Sequence, residues 1–135
     1  MKDSGNDYLL DTNVLIWLAT NPTEIPPALT AKLADAHYLY VSAITGFEIG
    51  QKHRQGKLPG GDIIVAGWNH LLRTIQAIEI PLPPQEAIEA VQLDWNHRDP
   101  FDRMLVAQAR SRGLILVTKD RDIRKYPGVI TENWA

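Results

Sequence analysis

The stretch DPFDRMLVAQARSRGLILVTKD, residues 99–120, decides the fold because it contains a complete helix and the strand that follows it. Asp99 suits an N-cap, Pro100 suits the first helical position, and Gly113 suits the residue at which a helix ends. Residues 114–117 form a continuous apolar run, which is typical of a strand buried on both faces of a parallel sheet. The stretch therefore predicts a helix packed against a buried parallel strand.

The rest of the chain alternates in the same way between short apolar runs and helical periods. Further strands are predicted at Tyr8–Leu10, Tyr38–Val41, Ala77–Ile80 and Val129–Ile130. Helices are predicted at 14–19, 26–36, from a Ser42 cap to Gln55, at 63–76 and at 84–93. Residues 55–62 and the charged segment 119–125 are predicted to be loops. This alternation predicts a three-layer α/β domain with a mainly parallel central sheet.

Length and composition narrow the class of protein. The 135 residues fit a single domain spanning 1–135, and 44% hydrophobic residues are enough for a packed core. A net charge of −2 excludes binding of nucleic acid by bulk positive charge, and the absence of cysteine excludes disulfides and thiolate metal sites. The longest apolar run, residues 14–19, is too short for a membrane helix or a signal peptide, so we expect a cytoplasmic protein.

Four acidic residues are predicted to meet at one edge of the sheet. Asp11 and Asp120 follow buried strands, Glu48 lies in a helix that leaves a third strand, and Asp102 lies in the first turn of the helix quoted above. Ligands bind at the carboxyl ends of parallel strands. Carboxylates about 4 Å apart repel by roughly 4 kcal/mol at an effective dielectric of 20, and a divalent cation removes that repulsion. An oxygen-only ligand set favours Mg²⁺, with Mn²⁺ as an alternative.

The same acids also have structural explanations. Asp11 suits the N-cap of the helix that begins near Val14, and Glu48 suits an i,i+4 ion pair with Lys52. Asp99 suits an N-cap, and Asp102 suits a carboxylate that complements the helix dipole. Asp120 and Asp122 suit a solvated charged loop. The four histidines lack ligand spacing, so no histidine metal site is predicted.

Six basic residues flank the predicted acidic site, and they suit either phosphate contacts or solubility: Lys52, Arg54, Lys57, Arg103, Lys119 and Arg121. The chain lacks a G-x-x-x-x-G-K-[ST] loop, a G-x-G-x-x-G fingerprint and a G-x-S-x-G elbow. These absences disfavour nucleotide-triphosphate, dinucleotide and serine-hydrolase functions, and hydrolysis by an activated water stays compatible with the sequence.

Four segments together resemble PIN-domain ribonucleases, in particular the VapC-type toxins of prokaryotic toxin–antitoxin pairs. The segments are YLLDTNVLIW at 8–17, Val41-Ser42 through Glu48-Ile49, HRDPFDRML at 97–105 and LVTKD at 116–120. The resemblance covers nearly the whole chain. Asp94-Trp95 departs from the Leu-Pro that commonly precedes HRDPFDR, which bears on target choice more than on chemistry.

The resemblance implies an α/β/α PIN-like fold and a Mg²⁺-dependent endoribonuclease that hydrolyses RNA by a metal-activated water. It assigns catalysis and metal binding to Asp11, Glu48, Asp102 and Asp120, with Asp11 and Asp102 as the principal ligands. It gives supporting roles to Thr12, Asn13, Thr118 and Asp99. It further implies an RNA substrate, with transfer RNA a common target of relatives, a small cognate antitoxin and a homodimer.

Two other functions are compatible with the residues. One is a catalytically silent PIN-fold module that acts by binding an antitoxin or nucleic acid. The other is a metal-dependent phosphatase, which is disfavoured because Asp11-Thr12-Asn13 lacks the second aspartate of a D-x-D loop.

Overall fold

The central sheet has five strands, all parallel, in the order β3-β2-β1-β4-β5. The computed structural model describes residues 5–134. Its strands are β1 (Asp7–Leu10), β2 (Tyr38–Ser42), β3 (Ala77–Ile80), β4 (Ile115–Val117) and β5 (Thr131–Glu132). The prediction of a parallel α/β sheet is confirmed.

Eight α-helices and one short 3₁₀ turn, Pro22–Glu24, connect the strands within the described residues. The helices are α1 (Thr12–Thr20), α2 (Pro27–Ala34), α3 (Ala43–Arg54), α4 (Gly61–Ala66), α5 (Trp68–Thr74), α6 (Pro84–Gln92), α7 (Pro100–Arg112) and α8 (Arg121–Lys125). Among these helices, none combines the length and apolar character needed to cross a bilayer.

Successive residues of the central strand supply two separate cores. Tyr8 and Leu10 of β1 point into one core, which is completed by side chains of α1 to α5. Leu9 points into the other core, which is completed by α7 and α8, and α6 packs against α7. The predicted three-layer arrangement is therefore confirmed.

The structure corrects three predicted elements. The single helix at 63–76 is two helices that meet at Gly67, a poor helix former whose N–H caps α4 by donating to the Ile63 carbonyl. The final strand lies at 131–132, because its pairing with β4 begins only at the Ile130 carbonyl. The segment 119–125 is not a loop: α8 occupies its last five residues.

The strand order places a crevice beside the centre of the sheet. From β1 the chain moves first to β2 and β3 on one side, and later to β4 and β5 on the other. Such a reversal leaves a crevice at the carboxyl ends of the two central strands, here β1 and β4. Asp11 directly follows β1, and Thr118 directly follows β4.

Candidate active site

Asp11 is a buried carboxylate between the two central strands, with 7% of its surface exposed. Its Oδ1 accepts a hydrogen bond from the Thr12 backbone N–H at 2.7 Å, so the side chain caps α1 as predicted. Its Oδ2 accepts a second hydrogen bond from the Thr118 hydroxyl at 2.7 Å. Asp11 therefore caps a helix and also faces the crevice.

Glu48 reaches the same crevice from α3, which begins directly after β2 with the Ser42 hydroxyl as its N-cap. The Thr12 hydroxyl donates to Glu48 Oε1 at 2.7 Å and lies 3.1 Å from the Thr45 hydroxyl. Lys52 Nζ lies 3.8 Å from Glu48 Oε2, so the predicted i,i+4 ion pair is present. Thr12 thus joins the carboxylate of α3 to the start of α1.

Asp120 is held by the residue that also holds Asp11. Its backbone N–H donates to the Thr118 hydroxyl at 3.0 Å. Its Oδ1 accepts from the Ile123 N–H at 3.0 Å, which makes Asp120 the N-cap of α8. A single buried threonine hydroxyl therefore links two of the predicted acids.

Asp102 enters the crevice from the first turn of α7, and a histidine contacts it. His97 Nε2 lies 2.8 Å from Asp102 Oδ2, and His97 Nδ1 lies 3.8 Å from an oxygen of Asp122. Asp99 is the N-cap of α7, since its Oδ1 accepts from the backbone N–H groups of Phe101 and Asp102. The structural explanation of Asp99 is confirmed.

Two of the predicted acids, Asp11 and Asp102, have raised pKa values. Burial, with a smaller contribution from the charges of Glu48 and Asp120, raises the pKa of Asp11 from 3.8 to about 6, although the hydrogen bonds from Thr118 and Thr12 oppose this rise. Burial also raises the pKa of Asp102 to about 7, with additional repulsion from Asp99, Asp11 and Asp120. The crevice therefore carries more negative charge than its own protein groups compensate.

This excess of negative charge and the all-oxygen donor set fit a hard divalent cation such as Mg²⁺ or Mn²⁺. Within residues 5–134, no three acidic, histidine or cysteine side chains are already arranged as a metal-ligand set. The carboxylate oxygens instead engage protein donors: Thr118 and Thr12 N–H for Asp11, the Thr12 hydroxyl for Glu48, and the Ile123 N–H for Asp120. The negative charge and the carboxylate oxygens of the crevice thus fit a divalent cation, although in residues 5–134 these oxygens are not arranged around a single point.

Arg103, predicted to contact RNA, has a different role. A guanidinium has five N–H donors. All five are used within the protein, at 2.6–3.1 Å, by the carbonyl oxygens of Ala90, Val91, Leu93, Trp95 and His97. The prediction is therefore corrected: Arg103 has no donor left for a phosphate, and it holds the segment that carries His97.

The other predicted cations fall into two groups. Lys52 pairs with Glu48, and Lys119 Nζ lies 5.6 Å from the centre of the Trp134 ring. The others are exposed and make no ion pair with any described residue: Arg54, Lys57 and Arg121. Asn13, predicted as a supporting residue, is likewise exposed beside buried Thr12.

His97 is the site residue that the sequence prediction missed. The absence of histidine ligand spacing led to no role for any histidine, yet His97 contacts Asp102 directly. The available signal was its position five residues before Asp102, across the N-cap Asp99 and Pro100. The irregular segment before the Asp99 cap places the His97 imidazole against the first turn of α7.

A family model described as PIN domain matches residues 8–129. The chain is 49% identical over 133 residues to the tRNA(fMet)-specific endonuclease VapC of Shigella flexneri, which covers 95% of this chain and 98% of that protein. It is 30% identical over 119 residues to Ribonuclease VapC22 of Mycobacterium tuberculosis, which covers 87% of this chain and 90% of that protein.

Solved structures share the fold. VapBC2 from Rickettsia felis, bound to a DNA fragment from its promoter, matches with a TM-score of 0.74 at 17% identity, over 96% of this chain and 99% of that one. DNA-bound VapBC from Salmonella typhimurium matches with a TM-score of 0.69 at 23% identity, again over 96% and 99%. At these identities the likeness concerns the fold alone.

Proposed function

The chain belongs to the PIN-domain family, and we propose that it is a VapC-type endoribonuclease that hydrolyses RNA with the aid of a divalent cation. The single observation that supports this proposal best is the convergence of Asp11, Glu48, Asp102 and Asp120 on one crevice, where burial, with added repulsion between the acids, raises the pKa of Asp11 and Asp102. We treat residues 1–135 as one nuclease domain.

Asp11 and Asp102 would hold the cation as principal ligands, with Glu48 and Asp120 completing the site. When bound, a divalent cation such as Mg²⁺ polarises a phosphoryl oxygen and lowers the pKa of a water molecule. Thr12 and Thr118 would keep the carboxylates of Glu48 and Asp11 in fixed directions. This fixed geometry matters because ligands held by neighbouring hydrogen bonds need less reorganisation when they bind.

The chain's own carboxylates would also move the proton that hydrolysis requires. A crevice carboxylate such as Asp102 would accept the proton of the attacking water, whose acidity a bound cation would raise. His97, 2.8 Å from Asp102 Oδ2, would hold that carboxylate toward the crevice. Attack on phosphorus then needs no covalent enzyme intermediate, since water itself would be the nucleophile.

The relatives suggest the biological setting. One relative is named a tRNA(fMet)-specific endonuclease, so initiator transfer RNA is the first substrate to test. The solved structures of the same fold include VapBC complexes, so we propose a small antitoxin as partner. An antitoxin that blocks this crevice would offer a cation in place of the metal. We further propose a homodimer and a cytoplasmic location.

Cleavage of initiator transfer RNA by the purified protein tests the proposal. We expect cleavage with Mg²⁺, its loss with EDTA, and its return when Mg²⁺ or Mn²⁺ is added in excess. Asp11→Asn and Asp102→Asn should each lower the rate by roughly 10²–10⁴-fold. The matched control is Glu24→Gln, which removes an exposed carboxylate outside the crevice and should leave the rate unchanged.

Two results would contradict the proposal. Cleavage that persists undiminished in both aspartate variants would show that the crevice is not the active site. Binding of transfer RNA without cleavage by the unaltered protein, under every divalent cation tried, would favour the silent binding module.

A further inference from the structure

An open cavity of about 1010 Å³ adjoins the acidic crevice, and the proposed mechanism gives it no role. Its walls include Trp95, His97, Arg98, Asp122, Lys125 and Tyr126. His97 belongs to both places, since it lines the cavity and contacts Asp102 at 2.8 Å. A single side chain therefore joins the cavity wall to a proposed catalytic carboxylate. Its volume is at the upper end of the range of about 300–1,000 Å³ for ligand sites.

The wall of this cavity is built in advance of any ligand. Trp95 stacks on His97 with ring centres 4.5 Å apart and on Tyr126 with centres 4.8 Å apart. Arg103 holds the backbone beneath this stack through its bonds to the Trp95 and His97 carbonyls. A segment without regular secondary structure is thus held in one shape, and a preformed surface loses less entropy on binding.

Two unpaired cations, Arg98 and Lys125, line the cavity. Both side chains are exposed, and neither forms an ion pair or a hydrogen bond with any residue of the described range 5–134. Two carboxylates, Asp94 and Asp122, line the same space, yet no oxygen of either lies within 4 Å of these cations. The two basic groups therefore remain free for an external anion, unlike Arg103 and Lys52.

We propose that this cavity receives an unpaired stretch of the RNA substrate next to the cleaved bond, with Arg98 and Lys125 binding its phosphates. The proposal rests on the ribonuclease function above. Cations beside an aromatic wall are the combination that single-stranded nucleic acid requires, because phosphates need charge and unstacked bases need flat or apolar surface. The cavity reaches Asp102 through His97, which aligns one continuous strand with the proposed catalytic acids.

The test compares the double variant Arg98→Ala/Lys125→Ala with Arg73→Ala, which removes an exposed cation from the end of α5, outside the cavity. Each protein cleaves a labelled stem–loop RNA in Mg²⁺ at several KCl concentrations, and thermal unfolding confirms that each is folded. We expect the double variant to raise KM about tenfold with kcat changed less than about twofold. Arg73→Ala should change neither constant.

The salt dependence of RNA affinity distinguishes lost phosphate contacts from a purely structural effect, which would leave that dependence unchanged. Binding is measured with the same RNA in an Asp11→Asn background, which prevents cleavage. Loss of two phosphate contacts on a single strand should reduce the slope of log affinity against log salt by about 1.4. A fully paired RNA duplex should show no such difference between the double variant and its parent.

The outcomes separate this inference from the proposed function. If the unaltered protein does not cleave RNA, the proposed function fails. If the unaltered protein cleaves while the double variant keeps the parent's KM and salt slope, the cavity is not a subsite and the inference alone is overturned. An equal loss of affinity for duplex and single-stranded RNA would also overturn it.

Discussion

Asp11 and Asp102 lie on opposite sides of one crevice, and the protein holds them in different ways. Asp11 follows a buried strand, and its two oxygens bind donors from the start of α1 and from Thr118, which directly follows β4. Asp102 instead contacts His97, which lies in an irregular segment supported by the side chain of Arg103. The first side of the crevice is set by the sheet, and the second depends on one guanidinium.

This difference predicts that the Asp102 side is the easier of the two to disrupt. A substitution at a strand end removes one contact from a frame that the sheet still holds. A substitution at Arg103 releases five backbone carbonyls at once. Substitutions on the two sides of the crevice test this contrast, and the largest effect is expected at Arg103.

Arg103→Ala should lower the free energy of unfolding by about 4 kcal/mol, because charge-assisted hydrogen bonds contribute roughly 1.5–3 kcal/mol each and are not additive. Urea unfolding monitored by tryptophan fluorescence measures the loss. Arg103→Lys should recover only part of it, since an ammonium group has three donors and lacks the planar fork.

The matched control for Arg103 is Arg124→Ala, which removes a single hydrogen bond of 3.3 Å to the Trp134 carbonyl. This substitution should lower the free energy of unfolding by less than about 1 kcal/mol. Equal losses in the Arg103 and Arg124 variants would refute the view that one guanidinium supports this side of the crevice.

Asp11→Asn should stabilise the fold at neutral pH by up to about 3 kcal/mol while it lowers the rate of cleavage sharply. The native pKa of Asp11, about 6, lies above its unfolded value of 3.8, so this group's contribution is most favourable below pH 3.8 and is lost as pH rises through 6. The stability gap between variant and parent should therefore grow from pH 4 to pH 7. Urea unfolding without divalent cation, at several pH values, measures that gap.

A gap that does not change with pH would mean that the buried Asp11 carboxylate carries no electrostatic cost. Added Mg²⁺ should narrow the gap at pH 7, because a cation that binds only the folded parent stabilises it by mass action. The same addition should leave the Asp11→Asn protein nearly unaffected.

Thr118→Val should destabilise the protein by about 2 kcal/mol at pH 7, since it removes the hydroxyl that binds both Asp11 and Asp120. The Thr118 hydrogen bond lowers the pKa of Asp11, so its removal should raise that pKa further. The loss should consequently be smaller at pH 4, where Asp11 is protonated. Thr118→Ser keeps the hydroxyl and should behave like the parent; a serine variant as unstable as the valine variant would indicate a packing effect instead.

Asp99→Ala should lower the free energy of unfolding by about 1 kcal/mol, because it removes the N-cap of α7. Asp99→Asn keeps an acceptor oxygen and removes the charge, so it should retain most of the stability and most of the RNA cleavage. Thermal unfolding and a cleavage assay distinguish the two variants. If Asp99→Asn loses as much activity as Asp102→Asn, Asp99 takes part in metal binding as well as in capping.

Much of this fold could be predicted from local patterns, because they involve residues close together in the chain. The Asp99 cap, the Pro100 start and the Gly113 end of α7 are all as predicted, and Gly113 has the positive φ of 66° that favours glycine. The errors are also local in origin. The charged residues of 119–125 concealed α8, whose N-cap Asp120 and buried Ile123 give it only one anchored turn.

The contacts that complete the crevice were decided by the tertiary structure alone. The sequence by itself determined that Asp11 and Asp120 follow strands, that Asp102 lies in the first turn of a helix and that Glu48 lies in a helix leaving a strand, and hence that the four acids could share one sheet edge. It did not determine that Thr118 would bind Asp11 across 107 positions, or that Thr12 would bind Glu48 across 36. Periodicity describes neighbours along the chain, whereas these contacts depend on strand order. For the same reason the sequence presents Arg103 as an available cation, whereas in the structure its donors bind two carbonyls of α6, which packs against α7, and three carbonyls of the segment that joins these helices.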